Sequence, residues 1–161
     1  MKIGVVADTH VQSSEDLEEL KELLENRFRD VDLLLHAGDL VKVGVLKLLK
    51  GITKTVAVWG NMDYPDVREV LSRKEVIEVK NFRIGLIHGW GPPQGLVERI
   101  RAEFSGVHCI VFGHTHEPFN QIIDGILFFN PGSPTDKIFA PCNSLGFLHI
   151  DSTIKGEVIG L

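Results

Sequence analysis

Cys109-Ile110-Val111-Phe112-Gly113-His114-Thr115-His116 is an apolar run that ends in a glycine and two imidazoles one residue apart. Its first four residues read as a short buried strand. On an extended backbone, residues two apart point the same way, and in a tight turn led by glycine they converge on one locus. Neutral imidazole is a common ligand of borderline divalent metals. A His-x-His alone is weak evidence, because two solvated loop histidines give the same pattern. The reading gains force from repetition: four other places in the chain set a ligand type directly after an apolar strand.

Working outward, the strand Phe82 to Ile87 ends at His88-Gly89, and Val76 to Val79 precedes it across a Lys80-Asn81 turn. Thr55 to Trp59 ends at Gly60-Asn61-Met62-Asp63, Val31 to His36 at Ala37-Gly38-Asp39, and Ile3 to Ala7 at Asp8-Thr9-His10. Helices fall between them. Ser13-Ser14-Glu15-Asp16 resembles a capping box ahead of a helix that buries Leu17, Leu20, Leu24 and Phe28. A second helix carries Val45, Leu46, Leu48 and Leu49, with Gly51 placed to stop it. Asp66 to Leu71 and Gly95 to Phe104 read as two more, the latter burying Leu96, Ile100 and Phe104. Three strand–loop–helix units in a row predict a parallel α/β core. Beyond His116 the chain turns β-rich: a hairpin at Asp124-Gly125 between Phe119–Ile123 and Ile126–Phe129, a tight loop Asn130 to Pro134, and a closing hairpin of Ser144–Asp151 with Ile154–Ile159. A single domain over 1–161 is expected, with two packed sheets and helices outside.

Seven side chains follow the strand ends: Asp8, His10, Asp39, Asn61, His88, His114 and His116. In open α/β sheets ligands bind beyond the carboxyl ends of the strands. If the strands lie side by side, these seven share one edge. Two carboxylates, four imidazoles and an amide carbonyl suit manganese, iron, zinc or nickel better than magnesium or calcium, which prefer all-oxygen sites. One metal takes roughly four to six ligands counting water, so seven suggest two metals sharing a carboxylate.

Asp8-x-His10, Gly38-Asp39, Gly60-Asn61, His88-Gly89 and Gly113-His114-Thr115-His116, in this order, resemble the calcineurin-like metallophosphoesterases. The short length and the Asn130-Pro131-Gly132-Ser133 loop are similar to the small bacterial and archaeal phosphodiesterases of that superfamily. The resemblance covers nearly the whole chain. It implies a four-layer αββα sandwich of two mixed sheets flanked by helices, and a metal-dependent phosphodiesterase acting on a small phosphodiester. Carried over by position, Asp8, His10, Asp39 and His116 would hold one divalent metal. Asp39, Asn61, His88 and His114 would hold the other, with Asp39 bridging and manganese the first choice of ion. A hydroxide between the metals would attack phosphorus in line, which gives Asp39, Asn61 and His88 the catalytic positions. The resemblance also implies homo-oligomers, although no apolar stripe marks an interface.

One departure stands out. Many relatives place a His after the Asn, where it contacts phosphate; here Met62 follows Asn61, and a thioether donates no proton. General-acid help is typically worth ~10²–10⁴-fold, so poor leaving groups are in doubt. Asp63 is read as a cap or a hydrogen bond that orients the Asn61 loop. His36 is expected to support the ligands rather than join them, and Asn130 and Ser133 likewise. His108 and His149 are read as structural, Trp59 as core, and Trp90 as a residue able to flank substrate.

The net charge is 17 − 22 = −5, which leaves no basic platform and makes nucleic acid an unexpected partner. A nuclease is thereby disfavoured. A protein-binding scaffold, like the retromer small subunit that shares this fold, is the other alternative; there the ligand set is incomplete, whereas all seven positions are intact here. No apolar run approaches the ~18 residues that span a bilayer. Asp8 follows Met1 too soon for a signal peptide. The expected setting is cytoplasmic, with Cys109 and Cys142 reduced.

Overall fold

The computed structural model describes residues 1–161. The first half runs β1 (Lys2–Val6), α1 (Ser14–Arg27), β2 (Leu33–His36), α2 (Val43–Ile52), β3 (Thr55–Ala57) and α3 (Pro65–Val70). Then follow β4 (Lys74–Val79), β5 (Phe82–Ile87), α4 (Leu96–Arg101) and β6 (Cys109–Val111). Two hairpins close the chain, β7 (Phe119–Ile123) with β8 (Ile126–Asn130) and β9 (Ser144–Ile150) with β10 (Ile154–Gly160).

These strands form two five-stranded sheets, ordered β10-β9-β1-β2-β3 and β4-β5-β6-β8-β7. Both are mixed. β1, β2 and β3 pair in parallel, as do β5, β6 and β8, while the hairpin strands add antiparallel edges. Alternation along the strands sets the layers. Ile3 and Val5 of β1, Leu33 and Leu35 of β2, Ile84 and Leu86 of β5 and Phe129 of β8 meet in one core between the sheets. Their neighbours Val6 and Leu34 join Leu20, Leu24, Phe28, Val45 and Leu49 in a second core under α1 and α2. Ile87, Ile110 and Phe128 pack with Leu96 and Ile100 of α4 in a third. The result is the expected αββα order, with a thinner second helical layer than the first.

Local chemistry explains the boundaries. Ser13 caps α1 and Asp16 returns the bond to the Ser13 amide, a complete capping box. The Asp124-Gly125 turn has positive φ at both residues, as a two-residue hairpin of right-handed twist requires. Three expectations shift. α2 runs through Gly51 and caps on Thr53, because Ile52 still packs on the core. β3 ends at Ala57, since the Trp59 amide is taken by the Ser72 carbonyl. α4 is only six residues long, and Phe104 lies beyond it, stacked where a Cβ on Gly85 would sit.

Candidate metal centre

The parallel strands β1, β2 and β3 of one sheet and β5 and β6 of the other end at the same edge of the sandwich. There the structure brings together all seven expected side chains. Asp8, His10, Asp39 and Asn61 come from the first sheet, His88, His114 and His116 from the second. The turns that carry them are tight. Asp8, His10, Asp39, His114 and His116 all have φ between 44° and 75°, the left-handed region that non-glycine residues rarely enter. Such strain concentrates where surrounding contacts over-determine it. Two glycines make room: a Cβ at Gly60 would lie 2.2 Å from the Asp39 Oδ1, and one at Gly113 would lie 2.7 Å from the Asp8 Oδ2.

The imidazole tautomers follow from what each ring's outer nitrogen meets. His88 Nδ1 donates to the Ala37 carbonyl at 2.8 Å, which turns Nε2 inward, 3.3 Å from Asp39 Oδ2 and 3.1 Å from Asn61 Oδ1. His114 Nε2 donates to the Gly91 carbonyl at 2.8 Å, leaving Nδ1 at 3.1 Å from the same Asn61 oxygen. His116 Nδ1 donates to Asp136, and its Nε2 lies 3.5 Å from Asp8 Oδ1 and 3.0 Å from His10 Nε2. His10 Nε2 is 3.7 Å from Asp39 Oδ2 and 3.9 Å from Asp8 Oδ1. Ligand-type nitrogens and oxygens therefore converge on two neighbouring loci. Asp8 with His10 and His116 is one close group, and Asp8, Asp39 and His88 another. Asp8 reaches His88 only through Nδ1, the nitrogen already bonded to Ala37. Asp39 Oδ2 lies between the inward nitrogens of His10 and His88, so it is the oxygen placed to be shared.

Asp8 and Asp39 are buried at 0% and 2% exposure, and only imidazoles face them as cations. Burial pushes the Asp8 carboxyl up to about 6, against the pull of His88 and His116. Burial works to lower His88, but its bond to Asp39 and the Asp8 charge carry it up to about 9. Burial lowers His10 and His114. Buried carboxylates need a cation, and lone-pair atoms facing one another at hydrogen-bond distance suit a metal between them. The donor set fits divalent ions of the imidazole-accepting kind.

A ring of buried polar groups holds this cluster. The Asp63 carboxylate accepts the amides of Asp39 at 3.1 Å, Val41 at 2.5 Å and Gly60 at 2.7 Å, tying the Asp39 loop to the Asn61 loop as expected. Ser133 Oγ donates to the Asp8 carbonyl at 2.7 Å, and Asn130 Nδ2 to the Gly113 carbonyl at 3.0 Å. His36 accepts the Gly38 amide on Nδ1, so its Nε2 donates to Thr9 Oγ1 at 3.1 Å; burial and the neighbouring His88 hold its pKa down near 3. His108 accepts the Arg83 amide and His149 pairs with Glu157, both far from the cluster. Trp59 is half-buried on the core under Arg68. Trp90 is a correction: its ring lies against Arg73, 4.6 Å from the guanidinium, and packs toward α4 rather than lining the cleft.

The cleft over the cluster is about 810 Å³. His10, Asp39, Asn61, His114 and His116 form its floor; Leu20 and Leu23 of α1, Met62, Ile138 and Phe139 line its sides, with Asp16 and Glu19 at the rim. Asp136 and Thr135 were missed in the sequence. Thr135 Oγ1 donates to the Thr9 carbonyl at 2.8 Å. Asp136 bonds His116, and although burial works to raise its pKa, the His116 ring and the amides of Ile138 and Phe139 hold it at about 2. The Ser133-x-x-Asp136 spacing is a capping pattern that foretells the bond between those two residues, not the one to His116.

Residues 1–153 match the calcineurin-like phosphoesterase superfamily domain. The chain is 38% identical to "Probable metallophosphoesterase MJ0623" of Methanocaldococcus jannaschii, over 99% of this chain and 81% of that protein. It is 29% identical to "Phosphodiesterase MJ0936" of the same organism, over 82% and 83%. Among solved structures, a single-mutant Vps29 from Entamoeba histolytica superposes with a TM-score of 0.74 at 26% identity, over 100% of this chain and 99% of that one. No helix is long and apolar enough to cross a membrane.

Proposed function

The chain belongs to the calcineurin-like phosphoesterase superfamily, and from that premise we propose that it is a metal-dependent phosphodiesterase acting on small phosphodiesters. The observation that carries the reading is the convergence of seven ligand-type side chains at one site, five on the cleft floor and Asp8 and His88 buried beside them. Asp8, His10, Asp39 and His116 would hold one divalent ion and Asp39, Asn61, His88 and His114 a second, with manganese the favoured ion. When bound, such ions polarise a phosphoryl oxygen and lower the pKa of water. The residues themselves supply position. Asp39 Oδ2 sets the spacing between the His10 and His88 nitrogens, and the Asn61 carbonyl faces His88 and His114 together. No activated hydroxyl competes: His36 donates to Thr9 instead of accepting its proton, and Thr135 is committed to the Thr9 carbonyl.

The cleft supports a small substrate with an apolar ester group. Leu23, Ile138 and Phe139 offer it contact, while Asp16 and Glu19, outnumbering Lys137 at the rim, oppose a polyanion such as a nucleic acid. Met62 is half exposed in the cleft wall and offers no proton to the departing oxygen. Cys109 and Cys142 are free thiols, which supports a reducing cytoplasmic setting. The Vps29 likeness favours a second reading, a protein-binding scaffold, and the complete ligand set argues for the enzyme. The test is hydrolysis by manganese-loaded protein of a panel of nitrophenyl and alkyl diesters and monoesters. Turnover of nitrophenyl diesters ahead of monoesters is expected; metal binding with no turnover of any ester would hand the case to the scaffold.

A further inference from the structure

We infer that Asp136 is a positioning residue for His116: its carboxylate, pinned by the main chain of its own loop, fixes the ring with the proton on Nδ1 and the lone pair on Nε2, facing the cluster. The inference rests on the metal-binding reading above but is testable without it.

Asp136 lies in the segment between β8 and β9. Its Oδ1 accepts the Ile138 amide at 2.8 Å and the Phe139 amide at 3.2 Å, and its Oδ2 accepts the Ala140 amide at 2.9 Å as well as His116 Nδ1. The residue's own backbone is held at both ends. Its amide donates to Ser133 Oγ at 3.0 Å, and its carbonyl accepts Asn143 Nδ2 at 2.6 Å. Ser133 Oγ is the group that also holds the Asp8 carbonyl. One short segment thus anchors Asp8 through its backbone and His116 through its ring.

The chemistry of imidazole gives this anchoring its meaning. A neutral ring carries one N–H and one lone pair, and which nitrogen has which depends on the partner. A carboxylate accepts only, so Asp136 demands the Nδ1–H form of His116. A carboxylate behind a ligating imidazole also raises its basicity, and losing such a partner typically weakens metal binding roughly 10–100-fold. His10 Nε2 and Asp8 Oδ1, at 3.0 Å and 3.5 Å from His116 Nε2, are where that lone pair is needed.

The competing account is that Asp136 only folds its loop, as a carboxylate accepting amides from the following turn does elsewhere. Asp136→Asn separates them. An amide satisfies the loop amides with its oxygen or His116 with it, but not both. Two-bond proton–nitrogen correlation spectra of the metal-free protein, with the ring neutral, report the tautomer directly. Manganese and zinc titrations report affinity. We expect wild-type His116 to be Nδ1-protonated, Asp136→Asn to lose that preference and to bind metal roughly 10–100-fold more weakly, and Asp136→Glu to recover part of both. Asn143→Ala loosens the same loop but leaves the Asp136 carboxylate in place, and should cost clearly less of the tautomer preference and of the affinity than Asp136→Asn. The inference is overturned if Asp136→Asn keeps the wild-type tautomer, or if Asn143→Ala reproduces the whole effect. A wild type that shows the tautomer yet binds neither metal would sink the metal reading and leave the positioning of the ring intact.

Discussion

Asp63→Ala is the substitution that separates scaffold from chemistry most cleanly. Asp63 is 4% exposed and touches no candidate ligand side chain; its carboxylate takes three backbone amides, two from the Asp39 loop and one from Gly60. Truncation leaves all three without an acceptor. A buried amide stripped of its partner costs about 1–3 kcal/mol, and exposed Asn61 and Met62 nearby let water reach part of the gap. We expect a total of about 3–5 kcal/mol, a large share of the ~5–15 kcal/mol by which a domain is stable. Asp63→Asn keeps one acceptor oxygen, and we expect about 1–2 kcal/mol. Urea unfolding of the metal-free proteins measures both losses, free of any contribution from bound ions. Hydrogen exchange at the amides of Asp39, Val41 and Gly60 locates them. An Asp63→Ala protein within about 1 kcal/mol of wild type, or with unchanged exchange at those amides, would refute the idea that one carboxylate binds the two loops together.

Three further outcomes are expected. Asp39→Ala should lose turnover and much of the bound metal, because its Oδ2 lies between His10 and His88; full metal content and activity would end the shared-carboxylate reading. His36 should make stability fall with acid: its folded pKa is held at about 3 against 6.5 unfolded, so the unfolded chain takes the proton first, and about 2 kcal/mol is lost by about pH 5. The stability difference between wild type and His36→Gln, followed by urea titration across that range, should show this one-proton slope, and parallel curves would disprove it. Met62→His should speed alkyl esters more than nitrophenyl diesters, if a proton donor is what the cleft lacks; equal leaving-group dependence of kcat/KM in both proteins would count against it.

Much of the site was legible because it is written in local patterns. A glycine followed by a ligand type at the end of an apolar run is visible in any short window, although what requires the glycine is distant: Asp39 and Asp8 pack where the Gly60 and Gly113 side chains would be. The capping box at Ser13 and the Asp124-Gly125 hairpin are local in the same sense. What escaped reading depends on distant parts. The Trp59 amide bonds Ser72 and so ends β3, an event no window around Trp59 records. Trp90 looked like a loop aromatic beside the site, but Arg73 draws it away. Asp136 meets His116 only because the β7–β8 hairpin folds back between them, and an aspartate in a Pro-rich loop carries no sign of it.

The bond from Ser133 to the Asp8 carbonyl spans 125 positions of sequence. β1, just before Asp8, sits mid-sheet between β2 and β9, and β9 starts only at Ser144. On the ribosome the first ligands therefore emerge long before the residues that fix them, and the N-terminal half is threaded out with one flank of its sheet still missing. The seven side chains are all made only once His116 is reached, well after Asp8. A metal held as proposed would meet its full ligand set only after His116 has emerged, and the Ser133 brace of Asp8 only later still.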